Sequence, residues 1–96
     1  MNELVPSEFY LGQNYPNPFG KRTTIKYCVP IKCRVTITIC TTDGAFVERL
    51  VDEEKLAGTY EVAWQPLDVT AGAYICRMTA GSYTDTKKML KLPDEG

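Results

Sequence analysis

The residues best equipped for chemistry in this chain are four cysteines, Cys28, Cys33, Cys40 and Cys76, and the carboxylates Asp52, Glu53 and Glu54 with Asp43 nearby. Histidine is absent from all 96 residues. Its absence removes Ser-His-Asp and Cys-His nucleophilic catalysis, the usual imidazole general base, histidine-ligated metals and any histidine pH switch. The cysteine spacing contains no Cys-x-x-Cys pair, so a thiolate metal site would need all four side chains to converge from separate positions. The carboxylates have the oxygen chemistry of a calcium site, but no twelve-residue loop pattern orders them, and a solvated acidic loop accounts for them. A glycosidase-like carboxylate pair needs a cleft. A chain of this length, which buries only about 60–65% of the surface its unfolded form exposes, has little mass to build one. These residues point away from an enzyme, and they predict neither cofactor nor metal.

Charge and hydropathy exclude further classes. Eleven Lys+Arg face twelve Asp+Glu, a net charge of −1, and the sequence pI is about 5.4. Nucleic acid is therefore not an expected partner, since phosphate binding needs a basic stripe. The longest apolar run, Ala73 to Cys76, is four residues, far too short to span a bilayer. The N-terminal residues lack the basic and apolar regions of a signal peptide, so export would depend on a segment upstream.

The elements that must position these groups are strands. Val35, Ile37 and Ile39 alternate with Arg34, Thr36 and Thr38, and Ile25, Tyr27 and Val29 alternate with Thr24, Lys26 and Cys28; period two with β-branched residues marks half-buried strands. Asp43-Gly44 predicts a hairpin between 33–41 and 45–51. A helix over Val47 to Leu56, suggested by Val47, Leu50, Val51 and Glu54, has no N-cap and is the weaker reading. A further strand opens at Ala57-Gly58, carries Tyr60, Val62 and Trp64 on one face and ends before Pro66. Another opens at Gly72 with Tyr74, Cys76 and Met78, and Ala80-Gly81-Ser82 turns it into a last strand from about Tyr83 to Leu90. Six or seven short strands with regular turns predict one all-β domain over 1–96, an antiparallel immunoglobulin- or fibronectin-like β-sandwich.

Strand parity then places the side chains. Cys28 and Cys40 should point outward and Cys33 inward, with Cys33 and Cys76 as small buried hydrophobes and at most one disulfide. Tyr27, Tyr60 and Trp64 fall on inward faces, which favours core packing over a carbohydrate-stacking platform. The stretch Leu11 to Gly20 has no period and reads as an ordered, turn-rich loop whose Tyr15 and Phe19 should cover one end of the sandwich. It is expected to supply no chemistry of its own. Asn17-Pro18-Phe19 also matches a short peptide motif read by trafficking domains, a three-residue match of the kind chance produces.

Taken in order, several motifs carry a family likeness: Leu11-Gly-Gln-Asn-Tyr-Pro-Asn-Pro-Phe19, Thr23-Thr-Ile-Lys-Tyr27, Val35-x-Ile-x-Ile39, Asp43-Gly44, Ala57-Gly58-x-Tyr60-x-Val62-x-Trp64, Gly72-x-Tyr74 and Lys87-Lys-Met89. They resemble the C-terminal sorting domain of proteins exported by the Bacteroidetes-type type IX secretion system, and the related immunoglobulin-like domain of the flagellar hook-capping protein. The likeness covers about residues 9–92, leaving 1–8 and 93–96 as expected flexible ends. It implies a non-catalytic module at the C-terminus of a larger secreted protein, read by the outer-membrane secretion apparatus after passage through the periplasm. The upstream cargo would then reach the cell surface or the medium. An alternative is a structural or protein-binding accessory domain of an extracellular or hook-associated protein.

An exposed last strand suits recognition by strand addition, and the same edge suits a strand-paired dimer. Lys87, Lys88 and Lys91 lie along it and serve either to steer a partner or to guard the edge against aggregation. Departures from the family pattern at Cys40, Gly20-Lys-Arg-Thr-Thr24 and Trp64-Gln65-Pro66 weaken any transfer of binding residues. Met1 directly before the domain fits either a piece of a larger protein or a short natural one.

Overall fold

A computed structural model of the chain describes residues 6–93. Its strands are β1 (Tyr10–Leu11), β2 (Thr23–Val29), β3 (Cys33–Thr41), β4 (Phe46–Lys55), β5 (Gly58–Trp64), β6 (Gly72–Ala80) and β7 (Tyr83–Lys91). They form two antiparallel sheets, ordered β1-β2-β5 and β4-β3-β6-β7. No helix among the described residues is long and apolar enough to cross a membrane. The expected flexible ends lie largely outside the described residues, at 1–5 and 94–96.

Alternation in sequence becomes alternation in burial. Ile25, Tyr27 and Val29 of β2 face Val35, Ile37 and Ile39 of β3 and Tyr74, Cys76 and Met78 of β6 across one core. Trp64 closes one end of that core, with its ring between Phe19 (centroids 5.6 Å apart, tilted 53°) and Tyr74 (5.6 Å, 73°). Its indole N–H donates to Glu48 Oε1 at 3.0 Å, so burial leaves the donor satisfied. Tyr60 is half-buried against the same core and stacks on Tyr27.

The helical spacing in β4 has a physical cause in the sheet. Ile37 pairs with Val51 but Thr38 with Arg49, and Ile39 pairs with Glu48 but Cys40 with Phe46. Leu50 and Val47 are thus each an extra residue opposite the regular β3 ladder, and two bulges turn a period of two into steps of three and four. Both lean on the core, half-buried. The hairpin therefore continues past 51 to Lys55, and the acidic run sits in strand, not loop.

Asp52 holds Arg34 at 2.9 Å and Arg49 at 3.8 Å, while Glu53 holds Lys55 at 2.6 Å. Among the described residues no group of carboxylates and cysteines could hold a metal ion. At the turn, Gly44 has φ 96°, a conformation that needs glycine. The Thr41 hydroxyl bonds Asp43, and that hydrogen bond, with backbone ones, lowers the Asp43 pKa.

All four thiols are free. Cys76 is buried, and burial, with Cys40 adding to it, pushes its pKa up to about 12, so it is inert near neutral pH. Cys33, expected to be buried, opens β3 at the sandwich margin and is only half-buried. Cys28 and Cys40 lie on outer faces, Cys28 against the Thr59 hydroxyl at 3.5 Å.

Candidate recognition surface

The stretch before β2 departs most from its expected role. Phe19 is fully buried, as predicted, which also removes it from any reading as an exposed peptide motif. Tyr15, expected to cover the sandwich, is 80% exposed. Its backbone explains the difference: Tyr15 and Thr24 exchange two N–H to C=O bonds at 2.9 Å, so the chain runs beside β2 as an added strand and turns the ring to the outer face. Tyr10 and Leu11 pair with Cys28 and Tyr27 in the same way, and the Gly12 N–H donates to Lys26 C=O at 2.8 Å. A Cβ on Gly12 would stand 3.1 Å from that carbonyl oxygen and from the Tyr10 ring, so any larger residue would have to push these neighbours back by a few tenths of an ångström.

From Gln13 the segment crosses to the other sheet. Asn14, 3% exposed, donates from its amide to Pro16 C=O at 3.1 Å and to Thr23 Oγ1 at 2.9 Å, and the Thr23 hydroxyl donates to Pro16 C=O at 2.8 Å. Gln13 Nε2 donates to Asn14 Oδ1 at 2.7 Å and also to Lys88 C=O of β7 at 2.8 Å. No buried side-chain polar atom among the described residues lacks a partner, which is what lets a polar network hold rather than weaken the crossing. Asn17 Oδ1 then accepts from the Leu90 N–H at 2.9 Å, the Phe19 N–H donates to Leu90 C=O at 2.9 Å, and the Leu92 N–H donates to Phe19 C=O at 2.8 Å. Residues 13–19 are a strap that closes the sandwich along one side.

β7 is the edge strand of its sheet, and its alternation divides the basic residues. Lys88 is exposed on the outer face. Lys87 points to the opposite side, half-buried, with Asp85 at 3.9 Å. Lys91 is 5% exposed beside buried Met89, its ammonium donating to Leu92 C=O at 2.9 Å. The three lysines therefore do not form one surface. Tyr83 bonds Asp85 at 3.3 Å, and burial together with that carboxylate raises its phenol pKa.

A cavity of about 370 Å3 opens beside the strap, lined by Gln13, Tyr15, Thr24, Lys26 and Glu61. In its wall Lys26 of β2 stands opposite Glu61 of β5. What the surface offers is backbone: a regular, nine-residue strand edge with a strap across part of it.

A known family, described as the secretion system C-terminal sorting domain, matches residues 13–92. The chain belongs to this family. The sorting domain is a targeting signal for type IX secretion, and it marks a secreted, cell-surface or extracellular protein. The matched span begins at Gln13, where the strap first touches β7, and ends at Leu92, the last residue it holds. No curated protein matches the chain. Gln13, Asn14 and Asn17 were not foreseen as working residues of this sorting domain. The available signal was their amides clustered in an aperiodic stretch, since such side chains often take backbone partners.

Proposed function

We propose that the sorting domain hands an upstream cargo domain to the type IX apparatus at the outer membrane, is read through the edge of β7, and catalyses nothing itself. The observation that carries this reading is the combination of the family match with a regular, unbulged edge strand whose outer face presents Lys88. Strand addition supplies affinity through backbone hydrogen bonds, so a reader of this kind accepts many cargoes without a pocket in the module. Lys88 is the residue placed to steer a partner on that face; Lys87 and Lys91 act within the fold. The route runs through the periplasm, with export to that compartment directed by an upstream signal.

The test is to fuse residues 1–92 behind a signal peptide and a reporter in a cell that carries the type IX apparatus. The reporter is expected at the surface or in the medium. Retention in the periplasm would overturn the sorting reading for this copy.

A further inference from the structure

Residues of β7 that point their backbone at β6 alternate with residues that point it outward. Leu90, whose N–H and C=O both meet the strap, fixes the phase: Thr84, Thr86, Lys88, Leu90 and Leu92 face out. Of these groups the strap takes Lys88 C=O, both groups of Leu90 and the Leu92 N–H. The Thr86 N–H is held only by the exposed carboxylate of its neighbour Asp85, at 2.8 Å. Among the described residues nothing meets the Thr84 backbone, the Thr86 C=O or the Lys88 N–H.

On the outer face, the charged side chains beside this open stretch share one sign; Asp85, of the opposite parity, reaches the edge only to hold the Thr86 N–H. On the outer face, β7 presents Thr84, Thr86 and Lys88, and β6 presents Thr79, Arg77 and Ile75 directly opposite them. No carboxylate stands on this face of either strand, and across the sheet the β4 carboxylate of Asp52 is held by Arg34 and Arg49. A second copy of the chain would bring a second Lys88 and Arg77 to the same face, which like-charge repulsion opposes. A strand with carboxylates at alternate positions would meet them with opposite charge.

We propose that the strap divides the β7 edge into a sealed half at Leu90–Leu92 and an open half at Thr84–Lys88, and that the open half takes an extended partner segment carrying carboxylates on its outward side chains. This deepens the reading of β7 as the recognised strand and rests on it for the identity of the partner. The division limits added pairing to about five residues, which favours a transient hold over a permanent one. It also keeps the apolar Leu90 and Leu92, both partly exposed, out of uncontrolled edge pairing.

Two peptides test it against the whole chain: a seven-residue strand former with Glu alternating with Val, and its twin with Lys in place of each Glu. The Glu peptide is expected to slow amide exchange at Thr84 and Lys88 by about tenfold and to leave Leu90 and Leu92 unchanged. The Lys twin should leave all four amides unchanged. Thr86→Pro removes an outward N–H without touching the β6 ladder and should abolish the effect, with the near-ultraviolet signal of Trp64 reporting that the fold survives. Lys88→Glu, an exposed change, should weaken the Glu peptide by about three- to tenfold and carries the test if Thr86→Pro does not fold.

Equal binding of the two peptides, unchanged binding by Thr86→Pro, or faster exchange at Leu90 on peptide addition would overturn the proposal. Protection of Thr84 without peptide, rising with protein concentration, would do so in favour of a second copy. In the export assay, a parent fusion that is exported while its Thr86→Pro form is exported equally well leaves the sorting reading standing and removes this inference. A parent fusion that is not exported removes the sorting reading, and the peptide experiment still decides the edge.

Discussion

The four-stranded sheet has two edges, and they are protected by different physics. β4 carries two bulges, at Val47 and Leu50, and a dense set of charges from Glu48 to Lys55. Its irregular backbone offers no straight row of groups to a new strand, and nothing needs to be displaced to keep it so. β7 pairs with β6 in unbroken register through all nine of its residues. It would be a ready template along its length were part of it not covered by a noncovalent strap. Built-in irregularity protects β4 permanently, whereas β7 is kept regular, partly covered and partly open, as a strand that must be read would need to be.

The strongest way to break this contrast is to remove the anchor of the strap. Phe19→Ala, which empties a fully buried site against Trp64, is expected to cost about 3–5 kcal/mol in urea unfolding. Phe46→Ala on the β4 side, where the ring is 61% exposed, should stay within about 0.5 kcal/mol. Equal costs would mean that the strap is not anchored as described.

A second test makes β4 resemble β7. Deleting Leu50 removes one bulge and leaves Thr38 opposite Arg49 and Ile37 opposite Val51. It should cost roughly 1–2 kcal/mol for the lost half-buried side chain, and the straightened edge should sediment faster than the parent chain as concentration rises. Unchanged sedimentation would show that the Leu50 bulge is not what protects β4.

A smaller effect is expected from Asn17→Ala, which removes the acceptor of the Leu90 N–H. The cost is about 1 kcal/mol, read as roughly fivefold faster exchange at Leu90 with no change at amides of β3. The smallest concerns the turn before β4. The Asp43 pKa is lowered in the fold by its bond to Thr41, so its contribution is present above the unfolded carboxylate pKa and lost as pH falls through the lowered folded value. Asp43→Asn should flatten that acid limb slightly in a pH series of thermal melts and leave β7 exchange untouched.

Much of this molecule was legible in its residues. Wherever apolar residues alternate, as in Ile25-x-Tyr27-x-Val29 or Tyr74-x-Cys76-x-Met78, strand and inward face follow together, because a strand with one buried face leaves no other register. Gly44 and Pro66 mark their boundaries through backbone chemistry local to themselves. β4 was harder to read because its bulges imitate a helical repeat, and the acidic run looked like loop because the strand partner that orders it, with Arg34 against Asp52, lies in β3. The candidate site was legible only as a family block. Gln13 and Asn17 carry no period, and the lysines of β7 looked alike until alternation buried Lys91 and exposed Lys88.

What the sequence determined by itself is the six longer strands, most of their inward faces and the absence of histidine chemistry, all properties of residues and their near neighbours. The tertiary structure alone decided that Gln13 would meet Lys88, 75 positions away, and Asn17 would meet Leu90, 73 positions away. Such bonds form between groups that approach only after both sheets have packed on one core, and no local pattern encodes that approach. The division of the β7 edge into sealed and open halves therefore belongs to the folded sandwich.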